Sequence, residues 1–104
     1  MIKTLFLVPI RDSRGRLFRR STWDELERRL LDAFGGYTEL PSVSGAWRAG
    51  DRVYQDQSRQ YVVSLTSWRQ LPAWLELIGW VRERFSQEAI YVEVAGVPEI
   101  LEGG

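Results

Sequence analysis

Side chains capable of acid–base chemistry are concentrated in two parts of this sequence. Carboxylates beside tyrosines can share a proton or raise one another's pKa, which is how an acid–base site is built without histidine. The candidates lie in a predicted two-stranded ribbon and just before the last predicted strand: Thr38, Trp47, Tyr54, Asp56, Ser58, Gln87 and Glu88. Convergence of these strands at one sheet edge would make a small-ligand cleft. The alternative is that Asp56 and Glu88 form surface pairs with arginines while the aromatic residues fill the core.

A second candidate site is the arginine-rich segment 11–20. Its arginines are Arg11, Arg14, Arg16, Arg19 and Arg20. Guanidinium groups bind phosphate in a bidentate manner, so this segment can clamp a phosphate group or an RNA backbone. The alternative is a solvated loop whose charges are balanced by Asp24, Glu25 and Glu27. Because the chain has no net charge, a nucleic-acid partner is not favoured.

The composition excludes several kinds of chemistry. None of the 104 residues is cysteine or histidine. Disulfides, thiolate zinc sites, a cysteine nucleophile and a histidine base are therefore excluded. Catalysis would have to use carboxylates, tyrosine, serine, threonine, arginine or the single lysine, Lys3. No close-spaced acidic motif is present, so the sequence predicts neither a metal site nor a cofactor.

The overall composition indicates one globular domain over residues 1–104. The apolar fraction is 44% and the charged fraction 27%, which are ordinary values for a soluble protein. The opening MIKTLFLVPI is too short to cross a membrane and has no small-residue cleavage site. We therefore expect a buried strand there, a cytoplasmic location and no membrane partner.

The periodicity of apolar residues predicts the order strand, helix, strand, strand, helix, strand. The predicted bounds are a strand over 2–10, a helix from Ser21 or Thr22 to Phe34, strands over 37–48 and 52–66, a second helix that begins after Ser67 or Gln70 and extends to Phe85, and a strand over 88–94. Thr22 and Glu25 match a capping box, and Gly35-Gly36 suits the end of the first helix. Residues 96–104 are expected to form a tail.

The two middle strands are predicted to form a long ribbon that turns at residues 49–51. Pro41 indicates an edge strand or a bulge. Alternation along the second of these strands places two sets of residues on opposite faces. The set predicted to be buried is Val53, Tyr61, Val63 and Leu65, and the set predicted to be exposed is Tyr54, Asp56, Ser58 and Gln60.

Two right-handed crossovers around a hairpin produce an α+β sandwich of the ferredoxin-like βαββαβ type. This arrangement has a four-stranded antiparallel sheet with both helices on one face. The opposite face is then open to water, a ligand or a second subunit. Tyr54, Asp56, Tyr91 and Glu93 are predicted to point to that open face.

Several short motifs support the same architecture. They are FGGYT at 34–38, GAW at 45–47, Tyr54-x-Asp56-x-Ser58, and Gln87-Glu88-Ala89. Together these motifs resemble small uncharacterised bacterial proteins of ferredoxin-like type. The resemblance covers most of the chain and implies the fold, but it implies no activity.

The second predicted helix raises two further expectations. Trp68 and Trp80 do not fit its apolar stripe and are expected to be half exposed, whereas Trp74 is expected in the core. Gly79 lies inside the helix, where glycine is costly, so we expect another backbone to approach it closely.

The function that the sequence favours is that of a non-enzymatic domain that associates with itself as a dimer. A bare sheet face carrying Tyr54, Val62 and Tyr91 would leave apolar area in water, and a second copy would cover it. The alternative is a ligand-binding protein or enzyme that uses Tyr54, Asp56 and Glu88 in a cleft lined by Trp47. A third possibility is phosphate or nucleic-acid binding by the 11–20 segment.

Overall fold

A computed structural model describes residues 1–103 of the chain. Its elements in chain order are β1 (Ile2–Pro9), α1 (Arg20–Phe34), β2 (Thr38–Ala49), β3 (Arg52–Leu65), a 3₁₀ turn (Trp68–Gln70), α2 (Leu71–Arg84), β4 (Ala89–Val94) and β5 (Val97–Glu102). In this part of the chain no helix has the length and apolar character needed to cross a membrane.

The strands form one antiparallel sheet in the order β2-β3-β1-β4-β5. The helices and strands from β1 to β4 follow the predicted order, but the sheet has five strands and not four. The difference lies in the predicted tail, where residues 97–102 pair along the whole of β4. Ala95 and Gly96 both have positive φ, as in a type I′ hairpin turn, so the chain reverses and covers an otherwise free edge.

The core lies between one face of the sheet and both helices. On β1, Phe6 and Val8 face the helices, and they are paired with Tyr61 and Arg59 of β3. The helices contribute the other large buried side chains: Trp23, Leu26, Leu30, Trp74, Leu77, Ile78, Val81 and Phe85. Because all buried strand residues of this cluster share one face, the placement of both helices on that face is confirmed.

The start of α1 differs from the prediction. The helix begins at Arg20, and its N-cap residue Arg19 makes no side-chain capping bond. Thr22 lies inside the first turn, where it is buried and its hydroxyl lies 3.4 Å from Arg84 Nη2. Arg84 also donates to Glu25 at 2.8 Å. The capping-box residues therefore join α1 to α2 instead of capping α1, whereas Gly35 ends the helix in the predicted left-handed conformation.

The C-terminal end of β2 and the N-terminal end of β3 extend past the helices as a hairpin, here called the ribbon arm (residues 43–58). Its register runs from Val43 opposite Ser58 to Ala49 opposite Arg52, and the predicted irregularity at Pro41 falls between Leu40 and Val43. The molecule measures 42 × 30 × 28 Å. Neither α1 nor α2 covers the arm, and residues of both its faces are exposed.

Two residues of β3 differ from the predicted alternation of buried and exposed side chains. Val53 was expected to be buried but is 55% exposed, because it lies near the tip of the arm. Ser58 was expected to be exposed but is only 7% exposed, because it lies at the base of the arm opposite Pro9. The exposure of Val53 therefore follows from its distance from the helices, whereas Ser58 lies on the face away from them, between Pro9 and Val43 of the two neighbouring strands.

The tryptophans around α2 lie as expected, whereas the glycine inside α2 does not. Trp74 is buried in the core, and Trp80 is half-buried beneath Arg29, whose guanidinium lies 4.1 Å from the ring centroid. Trp68 is 58% exposed. Apart from the neighbouring backbone of α2 itself, no described atom lies within 4 Å of the position that a Gly79 Cβ would occupy, so the expected close approach of another backbone is wrong.

Candidate functional site on the ribbon arm

Three of the candidate ligand-site residues form a cluster on the ribbon arm. Trp47 and Tyr54 are cross-strand neighbours whose rings stack at 4.6 Å between centroids and 18° between planes. Trp47 Nε1 donates to Asp56 Oδ2 at 3.0 Å. Gly45 lies opposite Asp56 and has no side chain, which leaves room for the indole to reach the carboxylate. Trp47, Tyr54 and Asp56 are called the arm cluster below.

Through Asp56, the arm cluster borders an open cleft of about 810 Å³, here called the loop–arm cleft. One wall is the loop that contains Arg11, Asp12, Ser13 and Gly15, and the other is formed by residues 44–46 and 55–57. Asp56 belongs to both the cluster and the cleft wall. A carboxylate, hydroxyls and amides beside an exposed aromatic pair are groups that can orient a small polar ligand.

The other four predicted cleft residues lie elsewhere. Thr38 is at the opposite end of β2 from the arm tip, paired with Val62, and Ser58 is buried at the arm base. Gln87 donates its side-chain amide to the Phe85 carbonyl, and Glu88 lines a separate small cleft beside Arg82 and Glu102. Strand β1 separates β3 from β4, so the two predicted halves of the site are not adjacent. The role of the arm cluster in ligand binding stays a prediction.

The loop 11–20 is held in shape by Asp12. Its Oδ1 accepts from the backbone N–H groups of Arg14 and Arg16, both at 2.9 Å, and its Oδ2 accepts from Arg16 Nε at 3.1 Å. The backbone bond from Arg16 is the main cause that holds the pKa of Asp12 below its ordinary value. The Arg11 side chain donates to the Gly15 carbonyl, so the side chains of two of the five arginines bond within the loop. Phosphate binding by the loop stays a prediction.

A polar network on the helix side was not foreseen from the sequence. Glu27 of α1 accepts from Tyr37 at 3.0 Å and from Tyr61 at 2.8 Å, using both carboxylate oxygens. Arg59 Nη1 lies 3.5 Å from Glu27 and 3.7 Å from Glu39. Burial, reinforced by the bond to Glu27, raises the pKa of Tyr61 and of Tyr37. No short-range spacing relates these residues, so only the folded topology brings them together.

This network borders a second open cleft of about 510 Å³, here called the network cleft. Its apolar lining comes from Ile10, Leu17, Phe18 and Trp23, and its polar lining from Arg20, Asp24, Glu27, Glu39, Ser42 and Arg59. The Arg59 guanidinium lies 4.1 Å from the centroid of the Trp23 ring. The network cleft therefore combines charges of both signs with an aromatic surface.

The sheet face opposite the helices carries the predicted open-face residues. Leu5 is paired with Val62 on one side and Glu93 on the other, which places Glu93 on the face away from the core. Tyr91 donates to Glu93 at 2.8 Å, and this bond is the main cause that raises the pKa of Tyr91. Across residues 1–103, no three acidic side chains come close enough to hold a metal ion.

Comparison with known proteins identifies similar folds but no family. No family model matches the chain, and no curated protein matches it. The chain is similar to a phage SAM lyase solved in complex with S-methyl-5'-thioadenosine, with a TM-score of 0.73 and 14% identity over 98% of this chain and 89% of that chain. It is also similar to the divalent cation tolerance protein CutA1 from Thermus thermophilus, with a TM-score of 0.56 and 18% identity over 100% of this chain and 84% of that chain. CutA1 from Ehrlichia chaffeensis gives a TM-score of 0.57 at 5% identity, over 89% of this chain and 78% of that chain. At these identities the similarity shows the fold alone.

Proposed function

We propose that this chain is a ferredoxin-like domain with an added fifth strand that associates with copies of itself through the ribbon arm. The observation that carries this proposal is that the arm exposes large apolar side chains without any covering layer. Trp47 is 53% exposed and Tyr54 39% exposed, and they form one stacked surface. An isolated two-stranded hairpin is only marginally stable in water, so packing against a second copy would stabilise the arm.

The outer edge of β2 supports a copy of the same chain as the partner. Beyond the irregularity at Pro41, residues 43–49 are paired on one side only, which leaves backbone groups free to pair with another strand. The arm also carries charges of both signs, in Arg48, Asp51, Arg52 and Asp56. A two-fold arrangement can place each charge near its opposite, and the zero net charge avoids repulsion between copies.

Sedimentation equilibrium over a range of protein concentrations tests the proposal. The wild-type chain, with a monomer mass of 12.1 kDa, is expected to sediment as a dimer or a larger closed oligomer. Trp47→Glu is expected to shift the protein towards monomer, because a charge would have to be buried without a partner at the contact. Circular dichroism would verify that the variant remains folded.

Trp68→Glu is the matched control. Trp68 is about as exposed as Trp47 but follows β3 at the end of the sheet away from the arm. The control is expected to associate like the wild type. A wild-type chain that stays monomeric at high micromolar concentration would overturn the proposal, and so would equal dissociation of the two variants.

The second candidate function is the binding of a small molecule at the arm cluster and the loop–arm cleft. The structural neighbour in complex with S-methyl-5'-thioadenosine suggests an aromatic base joined to a ribose as a probe. The Trp47 and Tyr54 rings offer a stacking surface, and Asp56 can accept from ribose hydroxyls. S-methyl-5'-thioadenosine is expected to raise the melting temperature of the wild type but not of Asp56→Asn. An equal shift in both proteins, or none in either, would remove this candidate.

We also propose a cytoplasmic location for this domain. The chain contains no cysteine, whereas small secreted domains commonly depend on disulfides. Fluorescence microscopy of a tagged full-length protein in its source cell tests this location.

A further inference from the structure

The guanidinium of Arg59 is fixed in place but only partly used. It stacks on Trp23, and its contacts to Glu27, Glu39 and Tyr61 all involve the same nitrogen, Nη1. In the hydrogen bonds among residues 1–103, Nε and Nη2 of this side chain have no acceptor. Arg59 lines the network cleft and its side chain is 29% exposed. Its remaining donors are therefore available to a carboxylate that enters the cleft.

The charges around the network cleft restrict the kind of ligand that fits. Asp24, Glu27 and Glu39 would repel a phosphate group, which carries nearly two negative charges. A simple cation would meet Arg20 and Arg59. A ligand that carries one group of each sign avoids both conflicts, because each of its charges can face the opposite charge on the wall.

We propose that the network cleft binds a small zwitterion of the α-amino-acid type. The ligand carboxylate bonds to the free donors of Arg59, and its ammonium group faces Asp24 and Glu39. Glu27 already accepts from two tyrosine hydroxyls, one at each carboxylate oxygen. Its role is to hold Arg59 and the two tyrosines in position.

The apolar part of the cleft indicates the side chain of the ligand. Ile10, Leu17 and Phe18 line it together with Trp23, so an aliphatic side chain is favoured over a charged one. The cleft volume of about 510 Å³ is ample for one amino acid. All lining residues belong to one chain, so this binding does not require the self-association proposed above.

Isothermal titration with L-leucine tests the proposal on the full-length protein. Two analogues of the same shape serve as matched probes: 3-methylbutylamine, which lacks the carboxylate, and 2-hydroxy-4-methylpentanoate, which lacks the ammonium group. L-leucine is expected to bind at least about tenfold more tightly than either analogue, because each charge-assisted bond contributes to affinity. Binding of either analogue as tightly as leucine, or no binding of leucine at millimolar concentration, would contradict the proposal.

Two variants locate the binding to this cleft. Arg59→Gln is expected to weaken leucine binding about tenfold or more. Ser42 is exposed on the cleft wall, so Ser42→Trp is expected to abolish binding by filling the space without altering the core. This variant still tests the proposal if Arg59→Gln does not fold. Arg28→Gln, on the exposed surface of α1 and outside the cleft, is the control expected to bind like the wild type. Unchanged binding by Ser42→Trp would overturn the proposal.

Discussion

The two halves of strand β3 have different surroundings although they belong to one continuous strand. Near its end, Tyr61, Val63 and Leu65 are completely buried beneath the helices. Near its beginning, Val53 and Tyr54 are exposed on the ribbon arm. Residue types are similar in the two halves, so the covering layer and not the residue type decides which side chains are buried.

This difference implies different sources of stability. The covered part of the sheet is stabilised by the removal of apolar surface from water, which contributes about 1.5–3 kcal/mol for each large side chain. The arm has only backbone pairing and cross-strand contacts such as that between Trp47 and Tyr54, which contribute about 0.2–1 kcal/mol each. The arm is therefore the region whose stability would respond most to a partner.

The largest expected effect comes from the same substitution made in each region. Trp74→Ala should lower the free energy of unfolding by about 3–5 kcal/mol, because it leaves a cavity in the core. Trp47→Ala on the arm should lower it by less than about 1 kcal/mol in the monomer. Urea denaturation at low protein concentration measures both values. Equal losses would contradict the distinction between the two regions.

Trp74→Phe refines this measurement. The Trp74 Nε1 is buried and has no hydrogen-bond partner among the described residues. Phenylalanine removes that unpaired donor, although it also reduces the packed volume, so its cost should be clearly smaller than that of alanine.

An intermediate effect is expected at the Glu27 network, which lies on the helix side of the sheet and outside the arm. Glu27→Gln removes the carboxylate that accepts from Tyr37 and Tyr61 and weakens the hold on Arg59. The expected loss in the free energy of unfolding is about 1–3 kcal/mol. Glu76→Gln, at an exposed position on α2, is the control and should change it by less than about 0.5 kcal/mol. If Glu27→Gln is as stable as Glu76→Gln, the network contributes little to the free energy of unfolding.

The same network predicts a loss of stability at alkaline pH. The pKa values of Tyr37 and Tyr61 are raised in the folded protein by burial and by the bond to Glu27. The neutral phenols are thus preferred in the folded state. Their contribution to the free energy of unfolding is complete below the ordinary tyrosine pKa of about 10. It is lost as the pH rises towards the higher pKa values of the folded protein.

Urea denaturation between about pH 8 and about pH 11 measures this effect. The free energy of unfolding of the wild type should fall with pH more steeply than that of Tyr37→Phe/Tyr61→Phe. Tyr91 also has a raised pKa and contributes to both proteins equally, so it does not affect the comparison. Parallel pH profiles would exclude the two network tyrosines as the cause.

The covered region was largely predictable from sequence, and the features that depend on distant contacts were not. Apolar stripes on the helices and alternation at Tyr61, Val63 and Leu65 indicated the core, because these patterns reflect local geometry. Strand β5 was missed because Ala95-Gly96 is a weak turn signal and residues 97–102 mix apolar and acidic residues. The Glu27 network joins residues more than thirty positions apart, and no sequence spacing indicates it.

Of the seven predicted cleft residues, only the three of the arm cluster lie together in the structure. The reason is again the difference between local and distant contacts. Trp47, Tyr54 and Asp56 lie on paired strands joined by a short turn, so local register alone makes them neighbours. Glu88 lies across β1, and its position depends on the order of strands in the sheet. Sequence patterns predict pairing within a hairpin better than they predict neighbours across a sheet.

The smallest expected effect compares a glycine in each region. Gly79 lies within α2 with open space where a Cβ would be, so Gly79→Ala should raise the free energy of unfolding by about 0.5–1 kcal/mol. Gly50 turns the ribbon arm with a φ of 65°, where alanine is strained by about 1–2 kcal/mol. Because the arm contributes little to the core, Gly50→Ala should weaken self-association in sedimentation experiments more than it lowers the free energy of unfolding of the monomer. If the free energy of unfolding of the Gly50→Ala monomer falls by the whole strain energy, the arm unfolds together with the core. The two regions would then be one cooperative unit.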